Sequence, residues 1–114
     1  MNKHRETALF KKSQEIYDIL KIITDLIPED NKHLQFTKLH MLENMYTIQA
    51  KIVGAESVNL WDLKMENAAI IRKCGRELMV LYHSLQMHGF EEANYYKIVR
   101  EEIEEFRVLF RDWV

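Results

Sequence analysis

Apolar residues recur at three- and four-residue steps in four long stretches of the chain, which is the spacing of one face of an α-helix. Pro28, Gly54 and Gly89 separate these stretches, because proline and glycine interrupt helical geometry. The pattern predicts helices over Glu6–Leu26, over Asn31–Val53, from near Asn59 to a stop at Gly89, and over Glu91–Trp113. Short connections between long amphipathic helices favour antiparallel neighbours. We therefore expect an all-α protein, an up-down-up-down antiparallel four-helix bundle that forms a single domain over residues 1–114.

The predicted helix ends carry their own sequence signals. Asn31 offers a side chain that can cap the start of the second helix, because asparagine accepts a hydrogen bond from otherwise unpaired backbone N–H groups. Asn59 is followed three residues later by Asp62, which approximates a capping box for the third helix. Gly54 and Gly89 are expected to end the second and third helices, since glycine adopts the left-handed C-terminal conformation without steric cost.

The third predicted helix carries more apolar surface than one buried stripe requires. A second set of small and apolar residues follows helical spacing on another side of it: Trp61, Met65, Ala68, Gly75, Met79 and Tyr82. Contiguous apolar surface left in water usually marks a contact site. Either an irregular bundle buries this helix deeply, or the second stripe forms a homo-oligomer contact or a docking face for another protein. On the second interpretation, the expected assembly contacts are Trp61, Met65, Met79 and Tyr82.

The charge composition argues against a dedicated nucleic-acid binder. Sixteen basic and 18 acidic residues give a formal net charge of −2, whereas such proteins are usually clearly basic. A local patch could still form, because an up-down bundle brings Lys11, Lys12, Lys51 and Arg111 toward one end. We expect these four residues to contact nucleic acid or an acidic partner, with ordinary mixed surface charge as the alternative.

The sequence contains few groups that could carry chemistry. The only cysteine, Cys74, lies in the main stripe of the third helix, so it is expected to be a buried core residue and not a nucleophile. No catalytic grouping, phosphate loop, cofactor motif or complete metal-ligand set is present, and we expect no enzyme activity. The alternative is a bundle that binds a metal or small ligand through His33, His40 or Glu102. Glu102 falls inside an apolar arc and would need a cationic partner.

The N-terminal residues are charged and do not resemble a signal peptide. No stretch approaches the roughly 18 consecutive apolar residues of a membrane span. A single cysteine also suits a reducing compartment. These features predict a cytoplasmic protein without a membrane partner.

Four short motifs resemble a family of small bacterial four-helix bundles. They are Tyr17-x-x-Leu20 in helix 1, Ile27-Pro28 at its end, Ile71-Arg72 in helix 3 and Trp113-Val114 at the end of helix 4. The family comprises the accessory variability determinants of diversity-generating retroelements and the related ribosomal-RNA intervening-sequence proteins. The resemblance implies a non-enzymatic adaptor, a homo-oligomer of pentameric form, that binds a reverse transcriptase and RNA or DNA. A mobile-element protein with another protein partner is the remaining alternative.

Overall fold

The computed structural model describes residues 7–90 and 95–114. Within these two stretches the chain forms four α-helices and no strand: α1 (Ala8–Thr24), α2 (Lys32–Glu56), α3 (Trp61–Met87) and α4 (Tyr96–Trp113). The predicted all-α four-helix bundle is confirmed. The predicted helix starts at Glu6 and Glu91 lie outside the described residues.

Contacts between helix ends show how the helices alternate in direction. Thr7, just before α1, donates a hydrogen bond from Oγ1 to Oε1 of Glu56 at the end of α2, at 3.2 Å. At the opposite end of the bundle, the ring of His33 near the start of α2 lies 4.3 Å, centroid to centroid, from the ring of His88 after α3. The start of one helix therefore lies beside the end of its neighbour.

One apolar core draws residues from all four helices, because each helix turns one stripe of its surface inward. Its most deeply buried members include Leu20 of α1, Met41 and Ile52 of α2, Leu78 of α3 and Val99 of α4. Among the described residues, the close backbone approaches are α2 to α3, α1 to α4 and α1 to α2. The backbones of α3 and α4 approach each other much less, so the bundle is open along this side.

Two predicted helix boundaries are wrong. Gly54 does not end α2, which continues to Glu56 and is closed by Ser57, whose Oγ donates to the carbonyl of Val53 at 2.7 Å. Gly54 keeps a negative φ, so its left-handed freedom is not used. The capping box of Asn59 with Asp62 also fails to form. The residue at the cap position of α3 is Leu60, one place later, and it makes no side-chain capping bond.

Two other predicted ends are confirmed. Oδ1 of Asn31 accepts a hydrogen bond from the Leu34 N–H at 3.1 Å, as expected for an N-cap. Gly89 has a φ of 82°, and the N–H of Phe90 donates to the Leu85 carbonyl at 3.0 Å. This is a Schellman ending, in which a glycine turns the chain back and a following apolar residue packs against the last helical turns. Phe90 is accordingly buried in the core.

Candidate binding groove between α3 and α4

The open side of the bundle is a groove of about 950 Å³ between α3 and α4. One face of α3 and one face of α4 line the groove. Residues three and four apart in the sequence share a helix face, so helical periodicity brings the lining residues of each helix together. The α3 wall consists of Ile71, Arg72, Gly75, Arg76, Met79 and Val80. The α4 wall consists of Arg100, Ile103, Glu104, Phe106, Arg107, Val108, Phe110, Arg111 and the terminal Val114.

Arginine is concentrated in this groove. Five of the six arginines in the chain line it: Arg72 and Arg76 from α3, and Arg100, Arg107 and Arg111 from α4. No lysine is among the described lining residues. The two residue types differ in chemistry, because guanidinium is planar, binds carboxylate or phosphate in a two-pronged fashion and is weakly hydrated. Arginine is also enriched at protein interfaces, whereas lysine is depleted there.

Most of the positive charge in the groove is unpaired. Glu104 is the one acidic lining residue in the described part of the chain, and its Oε1 lies 2.9 Å from Nη1 of Arg107. Within the described ranges, no carboxylate lies within salt-bridge distance of Arg76, Arg100 or Arg111. The groove therefore has a cationic surplus that suits an anionic ligand.

The floor of the groove is apolar. Phe106 and Phe110 reach the core and are each only 8% exposed, so they present little of their rings to the groove. The Arg72 guanidinium carbon lies 5.8 Å from the centroid of the Phe110 ring, a cation–π distance that holds this arginine against the floor. Val80 and Val108 are 69% and 48% exposed on the two walls. The groove thus combines apolar contact surface with arginines.

Four of the six members of the second apolar stripe predicted for α3 lie along this open seam, and Ala68 and Tyr82 are buried in the core. Met79 lines the groove itself, whereas Trp61 and Met65 line a smaller cavity of about 280 Å³ where the start of α3 meets Trp113 of α4. Trp61 is 69% exposed, and Met65 and Met79 are half-buried. Tyr82 has to be corrected: it is 0% exposed and belongs to the core, so it offers no side chain for assembly.

Lys12, predicted to contact an anionic partner, is engaged within the bundle. Its Nζ lies 2.9 Å from Glu102 and 2.6 Å from Glu105, both on α4, and 2.8 Å from Glu15 on its own helix. Hydrogen bonds from Lys12 to Glu105, Glu15 and Glu102 hold its pKa well above the usual range. The expectation that Glu102 needs a cationic partner is confirmed. Lys12 itself is 14% exposed and surrounded by carboxylates, which makes it a poor ligand for a second anion.

The other three predicted cationic contacts divide between different surfaces. Lys11 is exposed on α1 and Lys51 is half-buried on α2, and neither lines the groove. Arg111 does line it. The remaining groove arginines were not singled out by the sequence reasoning, although a signal was present: every arginine except Arg5 falls in the third and fourth predicted helices. On α4, Arg100, Arg107 and Arg111 recur at intervals of seven and four, which places them on one face.

The residues considered for metal or ligand binding are not brought together. The ring of His33 lies against His88, that of His40 lies 4.4 Å from Phe36, and Glu102 belongs to the Lys12 cluster. Within residues 7–90 and 95–114, no three His, Cys, Asp or Glu side chains are placed to hold a metal ion.

Cys74 is buried, as predicted. Burial, with a smaller contribution from Glu77, raises the pKa of its thiol. A raised pKa disfavours the thiolate, which is the reactive form of cysteine. The thiol is therefore a core group with little nucleophilic character.

No family model, curated protein or solved structure matches this chain. None of the four helices, over the residues described, has an apolar stretch long enough to cross a bilayer.

Proposed function

We propose that this protein is a non-catalytic helical adaptor that binds an anionic macromolecular partner along the groove between α3 and α4. The observation that carries the proposal is the segregation of arginine: five of six arginines line one groove, and no described lining residue is a lysine. General solubility would be served equally by lysine. A groove that selects arginine is suited to two-pronged recognition of carboxylate or phosphate groups.

The groove chemistry supports binding and not catalysis. Among the described lining residues, the ionisable side chains are guanidiniums and a single carboxylate, Glu104, which is paired with Arg107. Arginine does not release its proton in proteins. General acid–base catalysis needs a group that gains and loses a proton near the working pH. The one thiol of the chain, Cys74, lies in the core and not in the groove.

Self-assembly is the second part of the proposal, and the end of the seam supports it. Trp61, Leu60 and Leu63 are exposed by 69%, 66% and 41% at the start of α3. Apolar surface of this kind is stabilised by burial, at roughly 25 cal/mol per Å². The pentameric form and a reverse-transcriptase partner rest on the family resemblance alone and remain predictions.

The proposal is tested by binding of two labelled anionic probes, an acidic peptide of roughly 20 residues and a single-stranded RNA of about 20 nucleotides. The Arg76→Gln/Arg100→Gln variant removes two groove charges. The matched control, Lys73→Gln/Lys97→Gln, removes two exposed charges from the same helices outside the groove. We expect the groove variant alone to weaken binding of at least one probe. The proposal is rejected if neither probe binds. It is also rejected if the groove variant and the control variant lose the same binding affinity.

A further inference from the structure

We infer that the occupant of the groove is an acidic amphipathic helix of a partner protein, which would lie along the seam between α3 and α4 as an additional helix. This inference rests on the proposed function and specifies the chemistry of the partner. Four observations carry it: the length of the open seam, the arrangement of apolar and charged residues across it, an unexplained glycine in its wall, and a floor poorly suited to nucleic acid.

The length of the seam suits a helix of about three turns. Of the neighbouring helix pairs in the described bundle, α3 and α4 make the least backbone contact, so a surface remains open between them. Arg100 and Arg111 are eleven residues apart on one face of α4, which corresponds to about 16 Å along the helix axis. A docked helix would meet this row over about three of its own turns.

The residue arrangement is complementary to a helix with an apolar stripe flanked by acidic residues. Met79, Val80 and Val108 provide apolar contact surface, and arginines from both helices accompany it. A partner helix with apolar residues three and four apart would place them on this surface. Glutamates or aspartates beside that stripe would then reach the unpaired Arg76, Arg100 and Arg111.

Gly75 has no explanation within the bundle. It lies inside α3, where glycine costs roughly 1 kcal/mol relative to alanine, and it lines the groove. A Cβ atom added to Gly75 would meet no atom within 4 Å, so no neighbour in the chain requires the missing side chain. Close approach of an external backbone or side chain would account for it, because small residues allow helices to pack tightly.

The floor argues against nucleic acid as the occupant. Single-stranded nucleic acids are held by aromatic faces on which bases stack. Phe106 and Phe110 are each 8% exposed, with the Arg72 guanidinium close to one face of Phe110, so they offer little stacking surface. Exposed valines on the walls would contribute nothing to phosphate binding.

The test compares three probes on the full chain by fluorescence anisotropy. The first is an acidic peptide of roughly 20 residues with leucines at helical spacing. The second has the same composition with the leucines scrambled, and the third is a single-stranded RNA of about 20 nucleotides. We expect the amphipathic peptide to bind at least tenfold more tightly than the other two probes. We also expect Arg76→Gln/Arg100→Gln to weaken binding of the amphipathic peptide about tenfold or more, because charge-assisted hydrogen bonds are lost.

Two further variants separate shape from charge. Val80→Ser/Val108→Ser removes apolar surface from the groove walls, and its matched control is Ile22→Ser/Leu26→Ser, which removes exposed apolar surface from α1 and the residues just after it. Gly75→Leu fills the groove without changing charge. We expect both groove variants to weaken binding of the amphipathic peptide severalfold, while the control binds like the wild type. Thermal unfolding followed by circular dichroism checks that each variant is folded.

The outcomes distinguish the inference from the proposed function. Equal binding of the amphipathic and scrambled peptides, or tighter binding of RNA, would overturn the helical partner while leaving an arginine-dependent adaptor. A groove variant that changes the oligomeric state of the protein without any probe would identify a second copy as the occupant and would also overturn the inference. Failure of all three probes rejects both statements.

Discussion

Lys12 of α1 and Glu102 of α4 are bonded across the bundle, with Nζ of the lysine 2.9 Å from Oε2 of the glutamate. Glu105, one turn later on α4, accepts from the same ammonium group at 2.6 Å. These ion pairs join α4 to α1. The opposite edge of α4, facing α3, carries Arg100, Arg107 and Arg111, and no ion pair joins it to α3 among the described residues. The two edges match the arrangement of the helices, since the backbone of α4 approaches α1 closely and leaves a groove beside α3.

Replacing Lys12 by methionine is expected to destabilise the bundle. The change keeps most of the aliphatic stem but leaves Glu102, which is 25% exposed, and Glu105 without their cation. An unsatisfied, partly buried charge costs about 1–2 kcal/mol in the free energy of unfolding. Urea unfolding measures the loss. Lys11→Met is the control, because Lys11 is the exposed neighbour on the same helix, and an equal effect of both variants would contradict the role given to Lys12.

Acid should weaken the connection between α1 and α2 at Asp25. Hydrogen bonds from Lys21 and from Lys38, both to Oδ1 of Asp25, lower the pKa of this carboxyl. A carboxyl with a lowered pKa in the folded state stabilises the fold above its unfolded pKa of about 3.9. That stabilisation is lost as the pH falls through the lower, folded-state pKa.

Comparison of the wild type with Asp25→Asn isolates this effect. The difference in their free energies of unfolding should be constant between about pH 5 and pH 8 and should shrink below about pH 4. The asparagine variant removes the titrating group but keeps the size of the side chain. A difference that does not change across the acid range would rule out a role for Asp25 in acid sensitivity.

Substitution by alanine should have opposite effects on stability at Gly54, within α2, and at Gly89, just after α3. Gly89 has a φ of 82°, where a Cβ is strained, so Gly89→Ala should destabilise by about 1 kcal/mol. Gly54 is in helical conformation, and a Cβ there would lie 3.4 Å from Nδ2 of Asn67, an ordinary contact. Gly54→Ala should therefore stabilise by about 0.5–1 kcal/mol. Chemical unfolding of both variants checks the signs, and destabilisation by Gly54→Ala would show that Asn67 cannot adjust.

Cys74 should be protected from thiol reagents in the folded protein. It is 8% exposed, and burial raises its pKa, so little thiolate is available at neutral pH. We expect labelling by a thiol-reactive reagent to be at least about 100-fold slower in buffer than in denaturant, since it must await opening of the core. Rapid labelling without denaturant would mean that α3 opens locally.

Much of the fold was predictable because helical periodicity and helix-ending residues are local signals. Asn31 caps the start of α2 and Gly89 ends α3, as predicted. Leu60 has no side-chain group that could cap a helix, so the sequence did not indicate that α3 begins after it. Tyr82 illustrates a second limit. Its spacing placed it on the second stripe with Trp61. Residues that repeat every seven positions drift around the axis of a straight helix, and α3 has 27 residues. Tyr82 therefore lies in the core, whereas Trp61 is exposed to solvent.

The groove could be anticipated only in part. The second stripe of α3 was visible in the sequence, as was the concentration of arginines in the last two helices. Which helix pair stays apart is a tertiary property, and it is seen only once the helices are placed beside one another. The arginines were therefore recognised as a single surface only from the arrangement of the helices.

Self-assembly through the end of the seam is the remaining prediction. The mass of the protein in solution, measured by light scattering at micromolar concentration, should exceed that of one 13.7 kDa chain. Trp61→Ser should shift the distribution toward the monomer, because Trp61 is the most exposed of the aromatic and methionine residues at that end, and exposed aromatic residues dominate contact energies. Tyr46→Ser, which removes a similarly exposed aromatic residue from α2, serves as the control. A wild-type protein that stays monomeric, or a loss of assembly only in the Tyr46 variant, would refute an assembly surface at Trp61.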